Sequence, residues 1–432
     1  MHLVWPDSEN KSILFKMFLG IGVGLGINSL LLFLFLLIFD RQAGFFGLQI
    51  FIMAVLVSTL FFFSKRSFRS SPAAFNLPGR IQMIFLILAG IIVILALAAY
   101  VTVSLRQPQG AWDSWMIYNR AARFIYRGGD HWTDAFSPEM YWFFHTDYPP
   151  MLALNVASGW GALRQETVRV PMLVGGAFLF GSGGLLFAGL NAYKTFGQAV
   201  LALMVLFSVS GFIEIGSKQV ADVPLSFFIL ATGILVFLYS AKAQRGLLVL
   251  AGLSAGLAAW TKNEGIVFML ISLVGLGVAY RNELKQIFPW YMLGLAVPIA
   301  FLVYFKTAMA PPGDLFVGFA SRIGQVTDLN RHFEILKQLG SDLGLLVNWV
   351  LLALYALILG VDKLRNAYPA FLAFLIAILL QLVGYYSIFL VSPHPLHWHL
   401  SALSRLLLQI APLIIFLYFS LVRPPETVLQ PK

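Results

Sequence analysis

Apolar residues in this chain gather in long blocks separated by short polar connections, with neither the period-2 alternation of half-buried strands nor the one-sided stripe of soluble helices. A helix crossing a bilayer needs about 20 apolar residues, because the hydrocarbon core is about 30 Å thick and each residue rises 1.5 Å. Twelve blocks have this character: 13–39, 45–64, 81–105, 168–190, 198–213, 220–240, 246–260, 265–280, 286–306, 343–361, 367–391 and 403–422. The first is too long, and too promptly followed by a second, to read as a cleaved signal peptide. The pattern predicts an all-α polytopic membrane protein of about twelve transmembrane helices. No linker, repeat or low-complexity tract divides it, so residues 81–432 read as one membrane domain, with 1–80 as a two-helix N-terminal addition. Segment 149–163 is apolar but too short to span. It reads as an interfacial or re-entrant piece; a true span there would flip the side of everything after it.

Composition agrees. Of 432 residues 59% are apolar and 11% charged, far below the charge of a soluble domain, which excludes a soluble enzyme or nucleic-acid module. There is no cysteine, so disulfides, thiolate nucleophiles and Cys-ligated metals are excluded, and chemistry falls to carboxylates, seven His and Lys/Arg. Lys65, Arg66, Arg69 and Arg80, with no acid among them, mark 65–80 as cytoplasmic. Alternation then puts the turns holding Lys194, Lys242 and Arg245, Arg281 and Lys285, and Lys363 and Arg365 inside. The long loops 106–167 and 307–342, and the connections 214–221, 261–264 and 392–402, fall outside. On this topology 15 Lys/Arg and 5 Asp/Glu lie inside and 14 of each lie outside, so the whole +10 net charge faces the cytoplasm. The basic balance is a matter of orientation and implies no nucleic-acid partner.

Loop 106–167 holds five of the ten tryptophans, Trp112, Trp115, Trp132, Trp142 and Trp160, which places it along the outer membrane surface. Within it 113–127 (DSWMIYNRAARFIYR) reads as a helix in the interface plane. At about 100° per residue Arg120 lies about 20° from Asp113 around that helix, Arg127 about 40° and Arg123 about 80°. Arginines thus flank the aspartate.

Other polar groups recur at the same outer level. Asp113 and Asp222 (KQVADVPLSFF) each read either as a helix N-cap or as a carboxylate held for chemistry at the interface. Lys262 and Glu264 in TKNEG are either a snorkelling ion pair or a phosphate site, with Gly265 permitting a tight reversal. His394, His397 and His399, followed by Arg405, lack the spacing of a zinc motif and suit hydrogen bonding to a phosphate or sugar, or interface packing. Asp147-Tyr148-Pro149-Pro150 stiffens the loop's end, with Asp147 and Tyr148 as pocket candidates.

Taken in order, WDSWMIYNRAARFI, the YPP segment, ADVPLSFF, TKNEG and HWHLSALSRLLLQ resemble motifs of membrane-embedded glycosyltransferases of the GT-C fold, nearest to bacterial relatives of protein O-mannosyltransferases and aminoarabinose transferases. The resemblance covers about 105–290 and 394–410. It implies transfer of a sugar from a polyprenyl phosphate donor to a lipid, glycan or protein acceptor on the extracytoplasmic face of the cell membrane; no cofactor and no metal ligand is assigned in this sequence. Asp113 falls at the family's essential loop carboxylate, Asp222 is similar to a second acid, and Lys262 matches a position associated with the carrier phosphate. Arg405, Glu264, His397, His399, Arg120 and Tyr148 join the substrate and phosphate set. The family's first motif is commonly Asp-Glu, where this chain has Ser114, and often has Gly in place of Asn263. Two other readings use the same charges: a transporter or flippase of lipid-linked glycans, and a polyprenyl-diphosphate glycan ligase centred on the histidines. Charges at span ends, with no repeated halves, favour the transferase over the transporter.

Overall fold

The computed structural model describes residues 10–64, 79–140, 144–313 and 317–429. Lys65, Arg66, Arg69 and Trp142 lie outside them. All twelve apolar blocks are helical: α1 Asn10–Phe39, α2 Phe45–Ser64, α3 Arg80–Arg106, α6 Arg169–Tyr193, α7 Phe196–Ser208, α8 Asp222–Lys242, α9 Arg245–Ala259, α10 Asn263–Ala279, α11 Leu284–Ala308, α13 Trp349–Leu359, α14 Tyr368–Leu390 and α15 Leu403–Leu421. Among the described residues three more helices of nine residues or longer, α4 Asn119–Arg127, α5 Met151–Leu163 and α12 Leu329–Leu346, lie between them, with shorter helical turns such as Phe212–Ser217. No sheet occurs among the described residues, where Val361 and Val422 form an isolated bridge. Among the described residues seven helices are long and apolar enough to cross a membrane: α1, α3, α6, α8, α11, α14 and α15 with its lead-in turn Leu396–Leu400. The chain is an all-α membrane protein.

Helix α8 is the hub. Every residue from Asp222 to Leu238 is buried, against α6, α9 and α15. Helix α1 is bound into the same core by Phe15, Leu19 and Phe33, and its Ser29 hydroxyl accepts the Trp260 indole N–H at 3.1 Å. Helices α9 and α11 cross at backbone contact. A Cβ on Gly252 would sit 1.9 Å from the Tyr291 carbonyl oxygen, and one on Gly294 1.9 Å from that of Val249. Small residues permit such crossings in lipid, where packing rather than water exclusion drives helix association. Gly294→Ala is therefore expected to force the pair apart at a cost of about 1–3 kcal/mol, read as a lower melting temperature in detergent.

The block 343–361 is corrected: it is not one straight span. The chain breaks at Val347–Asn348 because the Asn348 side chain caps the Leu351 amide at 3.1 Å, and the helices on either side are bent by 57°. Helix α12 occupies the end of what reads as an outer loop over 307–342. Asp328 caps it, accepting from the amides of Asn330 and Arg331, and Arg331 anchors it by donating to the Phe389 and Leu390 carbonyls. Its amphipathic sequence averages to low hydropathy, which conceals it in an apolar-block reading.

Segment 149–163 becomes α5, a buried helix of 13 residues, shorter than the helices long enough to span. Asn28 of α1 donates to Asn155 and Ser158, and Gln42 to the Ala157 carbonyl. The helix ends on Arg164 in the left-handed region, φ 53°. The connections segregate accordingly. One end of the bundle joins 111 to 218, 147 to 263 and 263 to 306. The other joins Lys194 to Asp362 at 2.8 Å, Thr195 to Glu426 at 2.8 Å and Ser240 to Tyr280 at 2.7 Å.

Candidate active site

The first end carries a chain of ion pairs. Asp222 opens α8 as its first residue, with Ala221 in the cap position, so its carboxylate is not spent on backbone amides. Its Oδ1 accepts from Lys262 Nζ at 3.0 Å and Gln409 Nε2 at 2.7 Å; its Oδ2 accepts from Arg405 Nε at 3.2 Å and Nη2 at 2.8 Å. The same Arg405 Nη2 donates to Asp113 Oδ2 at 2.6 Å, and Lys262 Nζ pairs with Glu264 Oε1 at 2.9 Å. Asp222 is 0% exposed and the Lys262 side chain 7%, whereas those of Asp113 and Arg405 are 24% and 27% exposed. The network is therefore approachable from the Asp113–Arg405 side and closed beneath.

Local sequence explains each placement. The segment leading to α4 is fastened to the connection before α8: the Ala111 amide donates to the Lys218 carbonyl at 3.3 Å, the Ser114 hydroxyl donates to the same oxygen, and Asn119 donates to Gln219 at 3.1 Å. That clamp brings Asp113 beside Asp222. Ser114, where an acid would make an adjacent pair, is thus a fastener. Lys262 stands before α10 in extended backbone, φ −161° and ψ 157°. Gly265 makes that turn possible, since a Cβ there would lie 1.9 Å from the Ala258 carbonyl oxygen. Lys262 does form the ion pair with Glu264 that one reading expected, but its ammonium is buried between two carboxylates instead of snorkelling to the interface. The capping reading of Asp113 fails: its backbone is helical, φ −59° and ψ −33°, and its side chain makes no cap bond.

The arginine geometry is corrected. Residues Ser114–Tyr118 form a π turn, so a count of 100° per residue from Asp113 misplaces everything after it. Arg120 donates to the Met116 and Ala135 carbonyls and lies 4.8 Å from the Phe144 ring centroid, while Arg123 and Arg127 share Glu166. The cation at Asp113 is Arg405, 292 residues away. The Arg127 guanidinium holds the Glu166 carboxyl below its ordinary 4.5. A depressed carboxyl contributes its full stabilisation above pH 4.5 and loses it as pH falls through the folded value. With Arg127 largely exposed, the pair is worth under about 1 kcal/mol. Glu166→Gln is accordingly expected to lower the melting temperature slightly at pH 7, where the pair is fully formed, and to leave it unchanged at low pH, where the parent has already lost the pair, which flattens a small part of the acid limb.

Of the remaining candidates, Tyr148 presents its ring 5.9 Å from Lys262 Nζ and stacks on His145 at 4.7 Å. Burial pushes the phenols of Tyr148 and Tyr118 above their ordinary 10, so both are hydroxyl donors at neutral pH. His397 is exposed, and His399 is tied by Nδ1 to the Ser392 hydroxyl at 2.5 Å and packs edge-on against Phe389.

Three contributors escape the sequence reading. Gln409 and Tyr385 complete the floor, the Tyr385 hydroxyl donating to Gln409 Oε1 at 2.8 Å. Gln409 lies four residues after Arg405 in an otherwise apolar run, the same face one turn on, and that spacing was the available signal. Lys306 ends α11 and donates to the Asp147 carbonyl at 2.5 Å and Asn263 Oδ1 at 2.7 Å, with Asn263 donating to Asp147 Oδ2 at 2.7 Å. Two buried oxygens beside these groups, Glu264 Oε2 and Thr146 Oγ1, have no hydrogen-bond partner among the described residues. The arrangement offers a partly exposed carboxylate, two cations held by a buried one, and two phenol donors. Comparison with protein-family models, with curated proteins and with solved structures returned no match for this chain.

Proposed function

We propose that the chain is a GT-C-like glycosyltransferase of about twelve spans, in the cell membrane, with the ion chain on the extracytoplasmic face. It moves a sugar from a polyprenyl phosphate carrier to an acceptor hydroxyl. The observation that carries this reading is the order of charges. The reachable carboxylate, Asp113, shares one guanidinium with Asp222, which in turn binds a second cation.

The acceptor oxygen attacks the anomeric carbon as the carbon–oxygen bond to phosphate breaks. The bonding electrons leave with the phosphate and the hydroxyl proton passes to Asp113. Direct displacement inverts the anomeric centre. A positioned base contributes about 10²–10⁴-fold, and cations aimed at the departing phosphate contribute comparably. Three carboxylates, Asp113, Asp222 and Glu264, face two cations, Lys262 and Arg405, so the cluster carries a net charge of −1. An incoming phosphate must therefore compete for a cation, and Arg405, the more exposed one, is the group it can reach. Drawing Arg405 toward phosphate loosens its bond to Asp113 and leaves that carboxylate oxygen open to the acceptor hydroxyl as the donor binds.

The test is reconstitution of the protein in liposomes with a sugar-loaded polyprenyl monophosphate and a cell-envelope acceptor extract. Acceptor-dependent release of free polyprenyl phosphate is the expected result. Movement of the intact donor between leaflets without release would replace this reading with a flippase.

A further inference from the structure

A second cationic feature lies outside the ion chain. A groove of about 450 Å³ runs along α4, and its lining includes Trp115, Arg120, Arg123, Arg127, His131 and Asp134. The three arginines fall on one face by their spacing, i, i+3 and i+7. Arg123 and Arg127 have Glu166 as counter-ion, but Arg120 has no carboxylate partner among the described residues: its donors go to two carbonyls and the Met140 sulfur, and its guanidinium carbon lies 5.7 Å from the Phe124 ring centroid and 4.8 Å from that of Phe144. Desolvation without a carboxylate pulls this guanidinium down to about 10, the mark of a cation short of an anion.

The groove also has an apolar border. Trp112 and Trp115 pack edge to face at 6.3 Å while each remains more than 40% exposed. Exposed indoles beside arginines, at the level where the spans end, suit the headgroup layer of a bilayer, where indole rings settle and phosphates lie. A soluble anion would gain nothing from the tryptophans, and a zwitterionic lipid, whose phosphate carries its own ammonium, gains less from Arg120 than a lipid of net negative charge. Asp134 on the rim disfavours a crowded polyanion and leaves room for a single phosphodiester.

We propose that this groove binds the headgroup phosphate of an anionic phospholipid, with Arg120 as the central contact, independently of the transfer chemistry. The test uses the full chain in neutral detergent, with native mass spectrometry and thermal shift on titration of phosphatidylglycerol, phosphatidylcholine or soluble glycerol phosphate. Phosphatidylglycerol is expected to be retained and to raise the melting temperature more than phosphatidylcholine, with glycerol phosphate inert at equal concentration. Arg120→Gln should weaken the phosphatidylglycerol response about tenfold, the loss of one charge-assisted contact, and Arg120→Lys should restore part of it. Trp115→Ala tests the apolar border without touching the charge, and should weaken both lipids. Equal responses to the two lipids, an Arg120→Gln protein that keeps the preference, or glycerol phosphate binding as well as the lipid would each overturn the proposal.

Discussion

Asp222→Asn is expected to be the most damaging single substitution in the chain. The amide matches the carboxylate in size, so packing is unchanged, but Lys262 and Arg405 lose the charge that both are bonded to. Breaking one partner out of a buried ion network costs about 3–5 kcal/mol, because the remaining charges stay desolvated without compensation. Gln409 then faces an amide that can present its own N–H instead of an acceptor. The melting temperature in detergent should fall by many degrees. Adding Arg405→Met to the Asp222→Asn protein should recover part of the loss by removing one stranded cation. A melting temperature within a degree or two of the parent would show that Lys262 and Arg405 do not depend on Asp222.

Asp113→Asn is expected to do the reverse, sparing the fold and removing the activity. The Asp113–Arg405 pair is about a quarter exposed on both sides, and such pairs contribute only about 0–1 kcal/mol. Transfer should fall about 10²–10⁴-fold with the loss of the base. Donor KM should hold or improve, since Arg405 is released from one of its two carboxylates and is freer to meet phosphate. Initial rates against donor concentration separate the two parameters. Activity within a few-fold of the parent would remove Asp113 from the mechanism, and a raised KM with unchanged kcat would reassign it to binding.

Much of this was legible in the amino-acid order because a bilayer imposes a coarse rule. A block of apolar residues long enough to cross must be helical, and all twelve blocks are. The coincidence of Asp113, Asp222, Lys262, Glu264 and Arg405 was legible for a related reason: counting crossings sends the ends of distant helices to one level. What the count could not supply was azimuth and partner. Arg120 and Arg127 are near Asp113 in sequence and absent from it in space, because one π turn rotates the helix after Ser114. Arg405 arrives from the far end of the chain, where only tertiary packing could bring it. Helix α12 and the break at Asn348 were hidden because an amphipathic helix carries its apolar residues on one side, and a hydropathy average sees both.

The ion chain also imposes an order on biosynthesis. Asp222 is made 40 residues before Lys262 and 183 before Arg405. At roughly 5–20 residues per second, the ribosome needs about 10–40 s to deliver that second partner. During that interval a carboxylate at the mouth of the most buried helix has at most one counter-ion, and it can be kept there by staying protonated or by remaining at the aqueous edge of the membrane. Helix α8 is therefore expected to settle to its final depth only once α15 arrives. A nascent chain stalled before Arg405 should remain open to membrane quality-control proteases, whatever the completeness of its earlier helices.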